Sequence, residues 1–154
     1  MPSGSKINVK RISSNTENVN QTTDKIQAFE KQQWHLADIE HYGGPVDLRK
    51  KHYKFFTETD SGDITGILDL MIEGNVACIE NLLVGSEYRK MGIGKNLVET
   101  AEEFAKEQKA SKIWLETNEG WGAEQFYKKL AYQITGVHEK HIMQQTGLIF
   151  TKFF

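Results

Sequence analysis

A short loop between an apolar run and a helical pattern constrains the fold of this chain more than any other feature. The stretch VGSEYRKMGIGKNLVETAEEF, residues 84–104, places Gly92 and Gly94 beside Arg89 and Lys90 at this junction. Glycines let a ligand approach the backbone closely, and the N–H groups of such a loop and of the following helix attract anionic oxygens. The segment therefore predicts a strand, a phosphate-binding loop and a helix, in that order.

The two common nucleotide-binding loops do not fit this stretch. A P-loop needs an earlier glycine where this chain has Arg89, and a serine or threonine where it has Asn96. The dinucleotide fingerprint needs a third glycine, but Leu97 stands after Asn96, and the preceding strand is fed by hairpins instead of opening a βαβ unit. The phosphorylated ligand is therefore of another class.

The rest of the chain alternates between strand and helix patterns. Short turns, DSGD and EGN, join three apolar runs into an antiparallel meander, and Thr22 or Thr23 is expected to cap the first helix. In the helix after the loop, the spacing of the apolar residues predicts that Leu97, Val98, Ala101 and Ala105 face the core and that Glu102 faces solvent. The predicted elements are a strand at 7–12, a helix at 24–42, strands at 53–59, 64–73 and 76–84, the helix after the loop, a strand at 112–117, a helix at 122–130, and strands at 131–137 and 147–154. This order predicts an α/β (α+β) fold on one mixed sheet, partly antiparallel and partly parallel.

Composition excludes several classes of function. The chain has 154 residues, which predicts a single domain over 1–154 with residues 1–5 outside its folded part. A net charge of −2 gives no support for binding nucleic acid or a membrane surface. Cys78 is the only cysteine, so it is expected to be a small core residue. We expect a cytoplasmic protein, because no apolar stretch of signal-peptide or membrane-spanning length occurs.

Two motifs together resemble the GNAT superfamily of acyl-CoA-dependent N-acetyltransferases. The Arg/Gln-x-x-Gly-x-Gly/Ala motif of that family is met by Arg89, Gly92 and Gly94, and the segment FYKKLAY at 126–132 resembles its second motif. The chain departs from the family at Ala131, where glycine is usual and where the change matters little unless the backbone is left-handed. It departs also at Gly120, where an asparagine is frequent and which Asn118 or Gln125 is expected to replace.

The resemblance implies a twisted mixed sheet flanked by helices on both faces, with acetyl-CoA (coenzyme A) as co-substrate and no metal. The loop and the start of its helix would bind the pyrophosphate, and the end of the preceding strand would bind the pantetheine arm in a gap between two strands. The implied cofactor-binding residues are Leu82, Leu83, Val84, Arg89, Lys90, Met91, Gly92, Ile93, Gly94, Lys95, Asn118 and Tyr127.

The catalytic residues that the family chemistry needs are an acid for the leaving thiolate and a base for the amine. The resemblance implies Tyr127 as the acid. Glu80 interrupts an apolar run, and strand alternation places it on the same face as Leu82 and Val84, so it is the first candidate for the base. Glu116 is the second candidate.

The acceptor is predicted to be a primary amine of a small molecule such as a polyamine, an amino acid or an antibiotic. Protein N-termini or lysines, and a non-catalytic acyl-CoA sensor, remain alternatives, and a homodimer is compatible with the habits of the family. Trp34 and Trp121, together with Glu80, are the candidate substrate-binding residues. His138 and His141 are interpreted as part of a polar loop, since no acidic partner for a metal site is evident in the sequence.

Overall fold

The computed structural model describes residues 9–10 and 19–154 of the chain. The strand predicted at 7–12 lies outside the described residues except for Val9 and Lys10. Two short 3₁₀ helices, Ser86–Tyr88 and Ile142–Gln144, accompany the main elements. The main elements are α1 (Val19–Tyr42), β1 (Lys51–Glu58), β2 (Ile64–Glu73), β3 (Val76–Val84), α2 (Ile93–Glu107), β4 (Lys112–Asn118), α3 (Gly122–Lys129), β5 (Gln133–His138) and β6 (Gly147–Phe153).

The chain divides into two compact units between Val46 and Asp47. The first contains α1, which begins at Val19, so Thr22 and Thr23 lie inside the helix and the predicted cap is wrong. The helix ends at Tyr42, where Gly43 has a left-handed φ of 76°. No helix among the described residues is both long and apolar enough to cross a membrane. That all 154 residues form one domain stays a prediction.

The second unit is built on a six-stranded sheet in the order β1-β2-β3-β4-β6-β5. Neighbouring strands are antiparallel except for β3 and β4, which run parallel. The predicted mixed α/β fold is therefore confirmed. The parallel strands β3 and β4 are joined by the connection that contains the glycine loop and α2, because parallel neighbours need a crossover.

The hydrophobic core lies on one side of this sheet, which we call the helix face. Leu68, Leu70, Ile113 and Phe150 are fully buried there, together with Val98 of α2. Tyr127 of α3 also packs beside Phe150, with ring centroids 6.1 Å apart. Both α2 and α3 thus cover the helix face. The other side of the sheet, which we call the second face, carries the residues that alternate along each strand with those of the helix face.

The helix α2 confirms the predicted apolar stripe with one exception. Leu97, Val98, Ala101 and Ala105 are buried as expected, but Glu102 is buried as well. Its carboxylate accepts a hydrogen bond of 2.7 Å from Nζ of Lys152, which comes from β6. The prediction that Glu102 faces solvent was wrong because a distant strand supplies a cation that compensates the buried charge.

Candidate functional site

The glycine loop connects the end of β3 to the start of α2 through a sharply turned backbone. Lys90 and Gly92 both adopt left-handed conformations, with φ of 63° and 87°. The loop is fixed to the sheet by the N–H of Gly85, which donates to the carbonyl oxygen of Thr65 at 2.9 Å. The side chain of Arg89 folds back and donates from Nε to the carbonyl oxygen of Val84 at 3.2 Å.

The N-terminus of α2 presents backbone donors at this loop. Gly92 is the N-cap, no side chain caps the helix, and its carbonyl oxygen accepts from the N–H of Asn96 at 3.0 Å. The N–H groups of Ile93, Gly94 and Lys95 come before that first intrahelical bond and have no acceptor within the helix. Together with the helix dipole they form an anion-binding position.

The two motif glycines, Gly92 and Gly94, differ in backbone conformation and in surroundings. A Cβ at Gly92 would meet no atom within 4 Å, so only its left-handed backbone requires glycine. A Cβ at Gly94 would lie 3.5 Å from Cζ of Phe126 and 3.6 Å from Cγ2 of Val84, which are ordinary contacts. Gly94 therefore lies at the point where the loop, the end of β3 and α3 come together.

We expect Gly92→Ala to lower the free energy of unfolding by about 1 kcal/mol or more, because alanine is strained at positive φ. Gly94→Ala is the matched control and should leave stability unchanged or slightly raised, since alanine favours the helix. Urea denaturation of both variants measures the difference. A larger loss for Gly94→Ala than for Gly92→Ala would contradict this account of the loop.

The strands β3 and β4 separate directly beside this loop. Their parallel pairing covers only Val76 to Cys78 of β3, opposite Lys112 to Trp114 of β4. Beyond it, Ile79 and residues 81–84 of β3 have strand partners in β2, and none of residues 79–84 has one in β4. The backbone of Leu82, Leu83 and Val84 therefore borders a gap between the two strands, as the family resemblance implied.

A β-bulge at Glu80 changes the direction of its side chain. Asp69 lies opposite Asn81 and Leu70 opposite Ile79, which leaves Glu80 as the extra residue of β3. The prediction that Glu80 shares a face with Leu82 and Val84 is therefore wrong, because the extra residue interrupts the alternation. Its carboxylate accepts from Nδ1 of His52 at 3.1 Å and lies on the second face.

A second group of polar side chains on that face comes from the neighbouring strands. Asp69 of β2 pairs with Nζ of Lys54 and accepts from the side-chain amide of Asn81 at 3.1 Å. Hydrogen bonding to Lys54 lowers the pKa of Asp69. Sequence reasoning missed His52 and Asp69 as neighbours of Glu80, because only the register of the meander brings them together.

Tyr127 lies on α3 with its ring in the aromatic part of the core. It is 5% exposed and makes edge-on contacts with Phe126 and Tyr132, with ring centroids 5.0 Å and 5.4 Å apart. Burial raises the pKa of Tyr127 well above its ordinary value. The phenol therefore keeps its proton at neutral pH, and a role for Tyr127 as the acid stays a prediction.

The turn after α3 holds strain that the sequence analysis did not expect. Ala131 has a left-handed φ of 65°, so the replacement of the usual family glycine does matter to the backbone. The N–H of Ala131 donates to the carbonyl oxygen of Lys128 at 3.1 Å, closing the end of the helix. A glycine is the residue that this helix end favours.

Ala131→Gly is expected to raise the free energy of unfolding by about 1 kcal/mol, because it relieves a non-glycine residue in the left-handed region. Thermal and urea denaturation measure the gain, and Ala110→Gly is the control, since Ala110 is not among the residues of positive φ. Equal destabilisation by both substitutions would show that Ala131 is not strained.

Cys78 is confirmed as a core residue. It is buried on β3, and burial, reinforced by the charge of Glu80, raises the pKa of its thiol to about 11. A thiol with that pKa is almost wholly protonated at neutral pH and is a poor nucleophile.

The other predicted site residues lie around the start of α3 and on α1. The carbonyl oxygen of Asn118 accepts from the N–H of Trp121 at 3.3 Å, and Trp121 is exposed. Glu124 fixes this turn by accepting from the N–H of Gly120 at 2.8 Å. Trp34 is exposed on α1 in the first unit. Roles for Asn118, Trp121 and Trp34 stay predictions, as do those of Met91 and Lys95 in the loop.

Glu116 lies beside His138 and His141, for which the sequence showed no acidic partner. Its carboxylate oxygens lie 3.2 Å from Nδ1 of His138 and 3.2 Å from Nε2 of His141. The two histidines thus have an acidic partner, which was not evident because β4 and β5 are adjacent only through β6.

Comparison with known proteins places the fold and the glycine loop of this chain among those of acetyltransferases. A family model described as "Acetyltransferase (GNAT) family" matches residues 16–132. An acetyltransferase from Bacillus cereus ATCC 14579 is 23% identical over 94% of this chain and 98% of its own, with a TM-score of 0.71. A Bacillus anthracis protein described as a streptothricin acetyltransferase, solved with acetyl coenzyme A, is 27% identical over 67% of this chain and 62% of its own, with a TM-score of 0.62. The ribosomal-protein-S18-alanine N-acetyltransferase of Escherichia coli is 16% identical over 65% of this chain and 67% of its own, with a TM-score of 0.60.

Proposed function

The chain belongs to the GNAT acetyltransferase family, and from this premise we propose that it transfers an acetyl group from acetyl-CoA to a primary amine of a small molecule. Transfer occurs by direct attack of the amine in a ternary complex. The observation that carries the proposal is the gap between β3 and β4, which opens beside an uncapped helix N-terminus.

The residues of the glycine loop fit the pyrophosphate of coenzyme A. The N–H groups at the start of α2 supply donors, and the left-handed Gly92 exposes them. Arg89 uses Nε to hold the end of β3, and the two terminal nitrogens of its guanidinium are donors of the kind that bind a phosphate oxygen. Lys90 and Lys95 add positive charge that attracts the same group.

The gap beside Leu82, Leu83 and Val84 fits the pantetheine arm. A strand edge without a partner offers N–H and C=O groups to an extended ligand, which then binds as an additional strand would. The N–H of Val84 is our candidate donor to the thioester carbonyl oxygen, where negative charge develops as the amine attacks. The bound thioester supplies the activated acetyl group.

The two candidate catalytic residues act from opposite sides of the sheet. Glu80 projects to the second face with His52 on its carboxylate, and it accepts the proton that the amine loses as its nitrogen bonds to the acetyl carbon. Tyr127 lies on the helix face and donates its proton as the carbon–sulfur bond breaks and the thiolate leaves. Glu116 is the alternative base.

A small cationic amine is the acceptor that the charges of the second face favour. Glu80 and Asp69 place carboxylates there, with His52 and Lys54 as their partners. Direct attack is favoured over an acetyl-enzyme because Cys78 is buried and its thiol pKa is about 11.

The test is a screen for thiol release from acetyl-CoA with polyamines, amino acids, aminoglycosides and short peptides. We expect turnover of one or more small amines and little with peptides. Preferred turnover of peptides would replace this acceptor class by protein N-termini or lysines, a class that the E. coli relative represents. Binding of acetyl-CoA without turnover of any acceptor would favour a non-catalytic sensor.

A further inference from the structure

A carboxylate and two imidazoles converge where β4 lies closest to the connection between β5 and β6. Glu116 comes from β4, His138 is the last residue of β5, and His141 follows in the connection. One ligand atom from each lies within 4.8 Å of the other two, and each histidine nitrogen is 3.2 Å from a carboxylate oxygen. We propose that Glu116, His138 and His141 bind a zinc ion.

The spacing of these atoms suits a tetrahedral ion. Zinc binds imidazole nitrogen and carboxylate oxygen at about 2.0–2.2 Å, which places neighbouring ligand atoms roughly 3.4 Å apart. Each histidine nitrogen is already near that distance from a carboxylate oxygen, His138 from Oε2 and His141 from Oε1, so a small movement of the side chains would bring one atom of each residue onto a single ion. Two imidazoles with one carboxylate form a donor set that favours zinc over magnesium or calcium, which prefer oxygen ligands.

The connection that carries His141 contains several residues in a left-handed backbone conformation. Lys140, Met143 and Gln144 have left-handed φ values of 50°, 54° and 62°. Each such conformation costs a non-glycine residue about 1–2 kcal/mol, whereas an exposed ion pair contributes about 0–1 kcal/mol. An ion bound by all three side chains would hold this connection in place more firmly than the two pairs do.

Gly147 provides the space in which the carboxylate of Glu116 lies. A Cβ at this position would stand 2.3 Å from Oε1 of Glu116, far inside contact distance. Gly147 also pairs with Asn118 of β4 and with His138 of β5, so it sits between the strands that supply two of the ligands. A side chain at Gly147 would displace the carboxylate without removing any ligand.

The fourth position of the ion remains open to solvent, since all three side chains are partly exposed. Zinc held here joins β4 to the connection between β5 and β6. It also occupies the carboxylate of Glu116, which leaves Glu80 as the base. His138 and His141 then act as metal ligands, and not only as polar residues of a loop as the sequence suggested.

The experiment is a calorimetric titration of the full chain, free of any affinity tag, with zinc chloride. We expect one zinc ion per chain, and a loss of affinity of at least 100-fold in Glu116→Gln, His138→Gln and His141→Gln. Gly147→Ala should weaken binding with all ligands present. His41→Gln, on α1 and outside the cluster, is the matched control and should bind zinc as the unmodified chain does.

Two further measurements do not depend on how well the variants fold. Cobalt(II) added to the unmodified chain should give the intense visible absorption of a four-coordinate site, and zinc should displace it. Saturating zinc should also raise the Tm of the unmodified chain by roughly 5–10 °C. Absence of stoichiometric zinc binding, or equal binding by the control and the three ligand variants, would overturn the proposal. These readouts are independent of acetyl transfer.

Discussion

Replacing Glu80 by glutamine is expected to lower kcat for acetyl transfer about 100-fold or more at neutral pH. Glutamine keeps the size of the side chain but cannot accept the proton of the attacking amine, and a positioned base contributes roughly 10²–10⁴. The loss should shrink as the assay pH approaches the pKa of the acceptor amine, because more of the amine is then already neutral. Steady-state kinetics over that pH range measure both effects.

Two control variants separate this role from a general effect of charge. Glu103→Gln removes a carboxylate from the exposed side of α2 and should leave kcat unchanged. His52→Gln removes the partner of Glu80 and should have a smaller effect, since the carboxylate itself remains. If Glu80→Gln keeps more than half of the kcat, Glu80 is not the base.

Replacing Tyr127 by phenylalanine is expected to lower kcat about 100-fold while the KM for acetyl-CoA changes little. The ring packing against Phe126 and Phe150 is retained, so only the donor to the departing thiolate is lost. A thioester with a more acidic thiol needs less protonation as it leaves. Its turnover should therefore be reduced less by the same substitution.

Tyr132→Phe is the matched control for this prediction. Tyr132 is also a buried tyrosine of the same aromatic cluster, and its hydroxyl has the carboxylate of Glu102 as its charged neighbour. Loss of that hydroxyl should leave kcat near the original value. Equal losses of kcat in both variants would assign the effect to packing and would remove Tyr127 as the acid.

The glycine loop and its surroundings could be predicted because their determinants are local. Neighbouring residues determine the left-handed backbone at Gly92, the strand before it and the amphipathic helix after it. The strands of the meander were predicted with the observed bounds at Ile64–Glu73 and Val76–Val84, because turn residues mark both ends.

The direction of Glu80 could not be predicted, because a single inserted residue reverses the alternation of a strand. The bulge is defined by the pairing of β2 with β3, and no pattern within β3 reveals it. The left-handed backbone at Ala131 was likewise missed, since alanine has no preference for that conformation.

The sequence by itself determined the mixed α/β fold, the anion-binding loop and the membership of the family, because each depends on residues that are close together in the chain. Only the tertiary structure decided which carboxylate meets which partner. His52 reaches Glu80 across two strand pairings, and His138 and His141 reach Glu116 through β6. Such contacts depend on register and strand order, which are set by packing over the whole sheet and not by any one segment.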